Sequence, residues 1–139
     1  EVYTPSNAYD AKGLMISAIR SDNPVVFLEH KLMYLGAEQP VPEAAFAIEP
    51  GRARIVRSGS DVTVIALMAM VERAEKAADL LARKGISVEL IDPRTVKPLD
   101  MDTIIQSVKT TTRAVVVHEA GSVRWDRWGD RRNDHGTGV

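Results

Sequence analysis

The chain of 139 residues contains no cysteine, which excludes a disulfide framework and any cysteine-ligated metal. Aromatic residues are only 5% of it, so a core has to be built mainly from aliphatic side chains. No apolar run approaches the roughly 18 residues that cross a bilayer as a helix, and no signal-peptide pattern is visible. A surplus of one charge sign is missing too. Lys and Arg total 18 against 19 Asp and Glu, a net charge of −1. Nothing in that balance calls for nucleic acid or an anionic membrane.

What is present suits a globular protein: 45% hydrophobic and 27% charged residues. The length allows one ordinary domain, or the end of one and most of another. Glu1 rather than Met stands first, and a strand-like segment starts at once. The simplest expectation is a fragment whose beginning is missing.

Residues 61–100 form the best-patterned stretch. Val62, Val64 and Ile65 open a buried strand. Met70, Val71, Ala74, Ala77, Ala78 and Leu81 then recur at helical spacing, with Glu72, Arg73, Glu75, Lys76, Asp79 and Arg83 on the other face. Gly85 stands where a C-terminal cap belongs. Residues 87–91 read as a second strand stopped by Asp92-Pro93. Such a unit implies a parallel pair with a right-handed crossover. Residues 93–98 read as extended. Asp100 is an N-cap, with Leu99 and Ile104 as a hydrophobic staple. Ile104, Ile105 and Val108 are expected to form the buried stripe of the next helix, and residues 114–117 a third buried strand.

A second strand–helix–strand pattern precedes this one. Residues 1–5 read as a strand, Ser6 or Asn7 as the cap of a helix from Ala8, and residues 25–28 as a strand after Pro24. Gly13 inside the helix suggests close packing. Between His30 and Pro50 the periodicity dissolves among Pro40, Pro42 and Gly36, and this length suits a connection between domains. Residues 52–57 alternate as a strand, and Gly59-Ser60-Asp61 predicts a tight antiparallel turn into Val62.

Residues 122–139 differ from everything before them. They hold both tryptophans, with four Arg against three Asp, and no periodicity. One reading is an Arg/Trp-rich arm for an acidic partner. Another is a metal site at Asp126, Asp130, Asp134 and His135, weakened by Gly129 and Gly136 within it. The third is a shifted reading frame. A one-base shift of permitted codons yields a glycine-rich turn followed by a helix-like Glu-Ile…Met-Ile pattern, which an α/β layout wants after a strand. The DNA sequence decides between them.

The stretch YDAKGLMISAIRSDNPVVFLEHKLMY (residues 9–34) resembles the end of the pyrimidine-binding domain in the β subunit of thiamine-dependent 2-oxo acid dehydrogenases (pyruvate, acetoin and branched-chain type). GSDVTVIAL, GISVELIDPRTVKPLD and VVVHEA resemble the start of that subunit's transketolase C-terminal-type domain. The resemblance covers residues 1 to about 121. The family's glycine-rich continuation after His118-Glu119-Ala120 is absent, and the shifted frame restores something close to it. The implied class is α/β: residues 1–29 end the pyrimidine-binding domain, 30–51 link, 52–121 begin a three-layer α/β/α domain with a mixed sheet, and 122–139 are an aberrant tail.

The resemblance further implies oxidative decarboxylation of a 2-oxo acid, with thiamine diphosphate and magnesium, and acyl transfer to lipoamide. The implied partners are an α subunit, a second β subunit and a dihydrolipoyl acyltransferase core, with neither nucleic acid nor membrane. The place is the cytoplasm of a bacterium or the mitochondrial matrix of a eukaryote. The family's catalytic Glu and His lie upstream of Glu1, so no catalytic and no cofactor-binding residue carries over, and this chain alone is expected to be inactive. Some members hold a potassium ion with backbone carbonyls at a helix end, here Ala18, Ile19 and Asn23. Ser21 stands where those members carry Asp.

Transketolases and deoxyxylulose phosphate synthases share the broader layout, including the Arg94–Asp100 turn, and give one alternative. A non-enzymatic interaction module is another. Glu29-His30 and His118-Glu119 sit at strand ends, where α/β sites lie. Arg94 is expected to fix its turn through Asp92 or Asp100. Lys31 and Tyr34 are expected to face a partner subunit, and Met68 and Met70 to pack. A strand edge left open beside residues 114–117 predicts aggregation or dependence on a partner.

Overall fold

A computed structural model gives the fold and describes residues 1–36 and 38–119. The readings of the 122–139 tail, as basic arm, metal site or shifted frame, lie outside these residues. The described elements are β1 (Val2–Tyr3), α1 (Ala8–Arg20), β2 (Val26–Phe27), a 3-10 turn (Lys31–Leu35), β3 (Arg54–Arg57), β4 (Val62–Ala66), α2 (Ala69–Ala82), β5 (Val88–Asp92), β6 (Thr95–Lys97), α3 (Met101–Thr111) and β7 (Ala114–Val117).

The larger sheet has the order β3-β5-β4-β7. Strands β5 and β7 both run parallel to β4, and β3 is antiparallel to β5. Both crossovers are therefore helical, as the periodicity predicts, and the sheet is mixed. The core lies between β4, β5 and α2, where Ala66, Met70, Val71, Ala74 and Leu90 pack together. Gly85 has φ +77°, a value that favours glycine, just beyond the last turn of α2.

The tight antiparallel turn from β3 into β4 is not formed. These strands do run in opposite directions, but β5 lies between them. The link from β3 crosses the start of β5 instead. A Cβ on Gly59 would stand 2.1 Å from the Val88 carbonyl carbon and 2.4 Å from the Glu89 nitrogen. Glycine is needed there for close backbone approach, not for a turn.

Helix α3 also differs from expectation. Asp100 caps it, accepting from the Thr103 N–H at 3.1 Å. Its most buried residues, however, are Ser107 and Thr111, while Ile105 is exposed. The buried Thr63 hydroxyl of β4 lies 2.6 Å from Ser107 Oγ and 2.7 Å from Thr111 Oγ1. Three hydroxyls satisfy one another, so a helix whose apolar pattern points elsewhere docks through polar side chains.

Strand β7 is not buried. Among the described residues it has one neighbour, β4, and Ala114, Val115 and Val116 are exposed. Between its open edge and α2 runs an apolar groove of about 730 Å³, lined by Val64, Met70, Ala74, Ala77, Val115 and Val117 among others.

The smaller sheet, β2-β1-β6, joins the two halves of the chain. β1 and β2 are parallel, as the strand–helix–strand reading requires, and β6 lies antiparallel on β1. The extended segment after β5 is thus a strand of the other unit's sheet. The region between His30 and Pro50 packs back on α1. The Phe46 ring stacks on Tyr9 with centroids 4.4 Å apart, and Ser17 Oγ donates to the Ile48 carbonyl at 2.6 Å. A Cβ on Gly13 would approach Ile48 Cγ1 to 2.6 Å, which is the close packing its position suggests.

Candidate functional site

The strongest concentration of buried charge lies where the two sheets meet. Asn7 caps α1, accepting from the Asp10 N–H at 2.8 Å, and its amide donates back to Asp10 Oδ2 at 2.5 Å. This reciprocal cap turns the Asp10 carboxylate inward, where it is 1% exposed. Asp92 reaches the same place from the end of β5 and is fully buried.

Two guanidiniums answer these carboxylates. Arg94 Nη2 lies 2.8 Å from Asp10 Oδ1. Arg54, projecting from β3, places Nε 3.5 Å from Asp10 Oδ2 and Nη2 3.3 Å from Asp92 Oδ2. The Ser6 hydroxyl donates to Asp92 Oδ2, and the Arg94 N–H donates to Asp92 Oδ1 at 2.9 Å. Burial pushes the Asp92 carboxyl above the usual range, against the pull of Ser6, Arg94 and Arg54.

Arg94 takes φ 61°, a backbone conformation that costs a side-chain-bearing residue about 1–2 kcal/mol. It is held there from both ends. The Thr4 N–H donates to its carbonyl at 2.8 Å, while Asp92 and Asp10 hold its nitrogen and its guanidinium. The expectation that Arg94 fixes its own turn is met only at its backbone. The side chain reaches across to α1 and ties the turn to the other unit. Asp100, the alternative partner, instead accepts from Ala53 N–H at 2.9 Å and from Thr103. Burial raises the Asp100 carboxyl, but these hydrogen bonds and Arg52 outweigh it and leave it below the usual range.

The two strand-end pairs come together. His30 Nε2 lies 2.5 Å from Glu119 Oε2, and Arg73 of α2 lies 4.0 Å from the other carboxylate oxygen. His30 Nδ1 is buried without a hydrogen-bond partner among the described residues. This second contact spans the two units at the carboxyl ends of β2 and β7. Tyr34 and Leu35 of the 3-10 turn are exposed, and Met70 packs in the core as expected.

At the end of α1 the Ala18 carbonyl accepts from the Ser21 N–H at 3.3 Å. Asn23 Nδ2 donates to Glu1 Oε1 at 3.3 Å. The Tyr3 hydroxyl donates to Glu1 Oε2. Burial, reinforced by that carboxylate, pushes the Tyr3 phenol up to about 12.

The chemistry of both junction contacts is positional. Each carboxylate faces a basic side chain from another element, and no group of three His, Cys, Asp or Glu among the described residues is set to hold a metal. The residues that sequence reasoning missed are Asp10, Arg54, Ser6 and Thr4. Asn7-x-x-Asp10 carries a legible signal, because an acid three residues after a cap closes the cap reciprocally. Arg54 carries none beyond its alternation with Ala53 and Ile55.

The chain is similar to known proteins over most of its length. Over 120 residues, 86% of this chain, it is 55% identical to the pyruvate dehydrogenase E1 component subunit beta of Bacillus subtilis (strain 168). It is 51% identical over the same length to the corresponding subunit of Staphylococcus aureus (strain Mu50 / ATCC 700699). It is 53% identical to the acetoin:2,6-dichlorophenolindophenol oxidoreductase subunit beta of Cupriavidus necator. The chain spans 37%, 37% and 35% of the length of these relatives. Among solved structures, a split gene transketolase, described as an inactive beta4 tetramer, superposes with TM-score 0.73 at 27% identity, over 85% of this chain and 38% of its own. The family model of the transketolase C-terminal domain matches residues 51–123, more than half of the sequence, and the chain belongs to that family.

Proposed function

We propose that this chain is part of the β subunit of a thiamine-dependent 2-oxo acid dehydrogenase, the component that decarboxylates the acid and passes the acyl unit to lipoamide. The observation that carries this reading is the identity of more than half, over 120 residues, to the beta subunit of a pyruvate dehydrogenase E1 component, with a similar identity to that of an acetoin:2,6-dichlorophenolindophenol oxidoreductase. Residues 1–29, 30–51 and 52–121 then serve as the end of a pyrimidine-binding domain, a link and an assembly domain.

The described residues do not fit thiamine diphosphate and magnesium. Asp10 and Asp92, the buried carboxylates, are already matched by Arg54 and Arg94. The cofactor then belongs to the rest of the complete enzyme. The contribution of this chain is to hold two units in one relative position, toward an α subunit, a second β subunit and an acyltransferase core in a bacterial cytoplasm. The test is co-expression of the complete β subunit with its α partner. Release of carbon dioxide from a 2-oxo acid is expected, and a tetramer without it sinks the reading. The split transketolase likeness favours a second reading, action on sugar phosphates, and the same tetramer assayed on those substrates separates the two.

We further read the end of α1 as a potassium site, with carbonyls of Ala18, Ile19 and Asn23 as ligands. A helix C-terminus carries partial negative charge, the Ala18 carbonyl keeps a second lone pair beside its bond from Ser21 N–H, and the Glu1 carboxylate stands next to Asn23. Replacing tetramethylammonium chloride by potassium chloride at equal ionic strength is expected to raise the melting temperature by about 3 °C, since a ligand that binds only the folded state stabilises it. An unchanged midpoint removes the ion and leaves the family reading standing.

A further inference from the structure

We propose that residues 39–48 form a clasp: an extended strap that helix α1 recognises through its backbone, and that opens and recloses as one piece while both sheets stay folded. The first observation is how α1 holds Ile48. The Ile48 N–H donates to the Gly13 carbonyl at 3.2 Å, and the Ser17 hydroxyl donates to the Ile48 carbonyl at 2.6 Å. That hydroxyl also lies 3.0 Å from the Gly13 carbonyl, but it has one hydrogen to give and the nearer acceptor takes it. Both backbone groups of Ile48 are thus satisfied by the helix, as a neighbouring strand would satisfy them. Side chains on a helix surface ordinarily hold another backbone away. Gly13 removes that barrier, since a Cβ there would stand 2.6 Å from Ile48 Cγ1 and 2.8 Å from Phe46 Cε2.

The second observation is that the other anchors lie on the same helix. Gln39 Oε1 accepts from the Ala8 N–H at 2.9 Å, in the first turn of α1, where helix N–H groups lack an intrahelical partner. Lys12 Nζ donates to the Pro42 carbonyl and, at 3.0 Å, to the Glu43 carbonyl. It also lies 5.7 Å from the centroid of the Phe46 ring that stacks on Tyr9. The strap therefore follows α1 from Ala8 to Ser17. Phe46 and Ile48 are half-buried, while Ala45, Ala47 and Glu49 between and beside them are exposed. That is the period of an extended segment bound along one face.

None of these strap residues belongs to either sheet, and none is fully buried. A segment with few buried contacts opens at a lower cost than the whole fold. Just beyond it the Gly51 N–H donates to Thr95 Oγ1 at 3.0 Å and the Ala53 N–H to Asp100 Oδ2 at 2.9 Å. Closed, the clasp ties α1 to the turn between β6 and α3. It is a tie between the two units that uses neither Asp10 nor Asp92.

Amide hydrogen exchange of the 139-residue chain, followed residue by residue by nuclear magnetic resonance, tests this. The Ile48 amide is expected to exchange more slowly than in an unstructured peptide, but at least about tenfold faster than the Leu90 amide of β5. Ser17→Ala removes the hydroxyl at a helix position that alanine suits. It should raise the Ile48 rate about tenfold, the effect of one lost hydrogen bond, and leave the Leu90 rate and the melting midpoint unchanged. Gly13→Ala, whose methyl pushes Ile48 outward, should also raise the Ile48 rate. Lys12→Met tests the single piece: Lys12 meets residues 42, 43 and 46 but not Ile48, and its loss should still raise the Ile48 rate. An Ile48 amide as slow as Leu90, or as fast as in a peptide, overturns the proposal. So does an Ile48 rate indifferent to any of the three substitutions. A Ser17→Ala chain whose midpoint falls along with its clasp overturns it too, because the strap then unfolds only with the whole.

Discussion

Asp10→Ala is expected to lower the unfolding free energy by about 3 kcal/mol, equivalent to a fall of roughly 10 °C in the melting midpoint. The carboxylate is 1% exposed and lies against two guanidiniums from two other elements. Removing it leaves Arg94, 17% exposed, without a counter-charge, and Arg54 with Asp92 alone. Breaking one side of a buried pair costs about 3–5 kcal/mol. The lower end applies because the Arg54 side chain is 35% exposed and water screens it. The Asn7 Nδ2–Asp10 Oδ2 contact disappears as well, whereas the cap itself, from the Asp10 backbone N–H to Asn7 Oδ1, remains. Urea unfolding measures the sum, and a loss below about 1 kcal/mol would show that the junction is not held by charge. Arg94→Gly in the Asp10→Ala background should recover part of the loss. It removes the orphaned cation and relieves the strained φ together.

Gly59→Ala should cost at least as much, about 3 kcal/mol or more, because the added methyl meets backbone rather than a movable side chain. The contact at 2.1 Å lies on the first residue of β5, at the centre of the sheet. Relief requires the β3 link or the β5 start to move, and either breaks the pairing of β5 with both neighbours. Gly13→Ala is the control. Its closest contacts are side-chain atoms, Ile48 Cγ1 and Cδ1 and Phe46 Cε2, rather than backbone, and alanine in a helix regains about 1 kcal/mol over glycine. Thermal unfolding of the two variants should therefore separate by several degrees. Equal midpoints would mean that the Gly59 crossing tolerates displacement.

Local signals specify the elements reliably and their neighbours poorly. The caps at Asn7 and Asp100, the 3.6-residue stripe of α2 and the Gly85 stop are each written in a few adjacent residues, and each stands in the structure. The place of β3 is not local. It depends on β5, more than thirty residues later in the chain, so the short link before Val62 suggested a hairpin that β5 in fact separates. The docking of α3 through Ser107 and Thr111 was hidden for another reason. Apolar periodicity is blind to hydroxyls that satisfy one another. His30 and Glu119 were each legible as strand-end residues, but nothing in either neighbourhood reports that the two strands converge from different sheets. Asp10 reads as part of a cap, which it is, and that role conceals its second one.

The place of β6 bears on the order in which the chain can acquire its shape during synthesis. Tyr3 pairs with Thr95, and Val2 with Lys97. β1 leaves the ribosome before β4, α2 and β5, and β6, which pairs with it, only after them. Closing so long a loop is favourable only once its ends are brought together by something else. β5 is followed directly by β6, and the Asp92 and Arg94 contacts lie between them. The later unit therefore delivers the strand that the earlier one lacks, and maturation of the first sheet waits on the second.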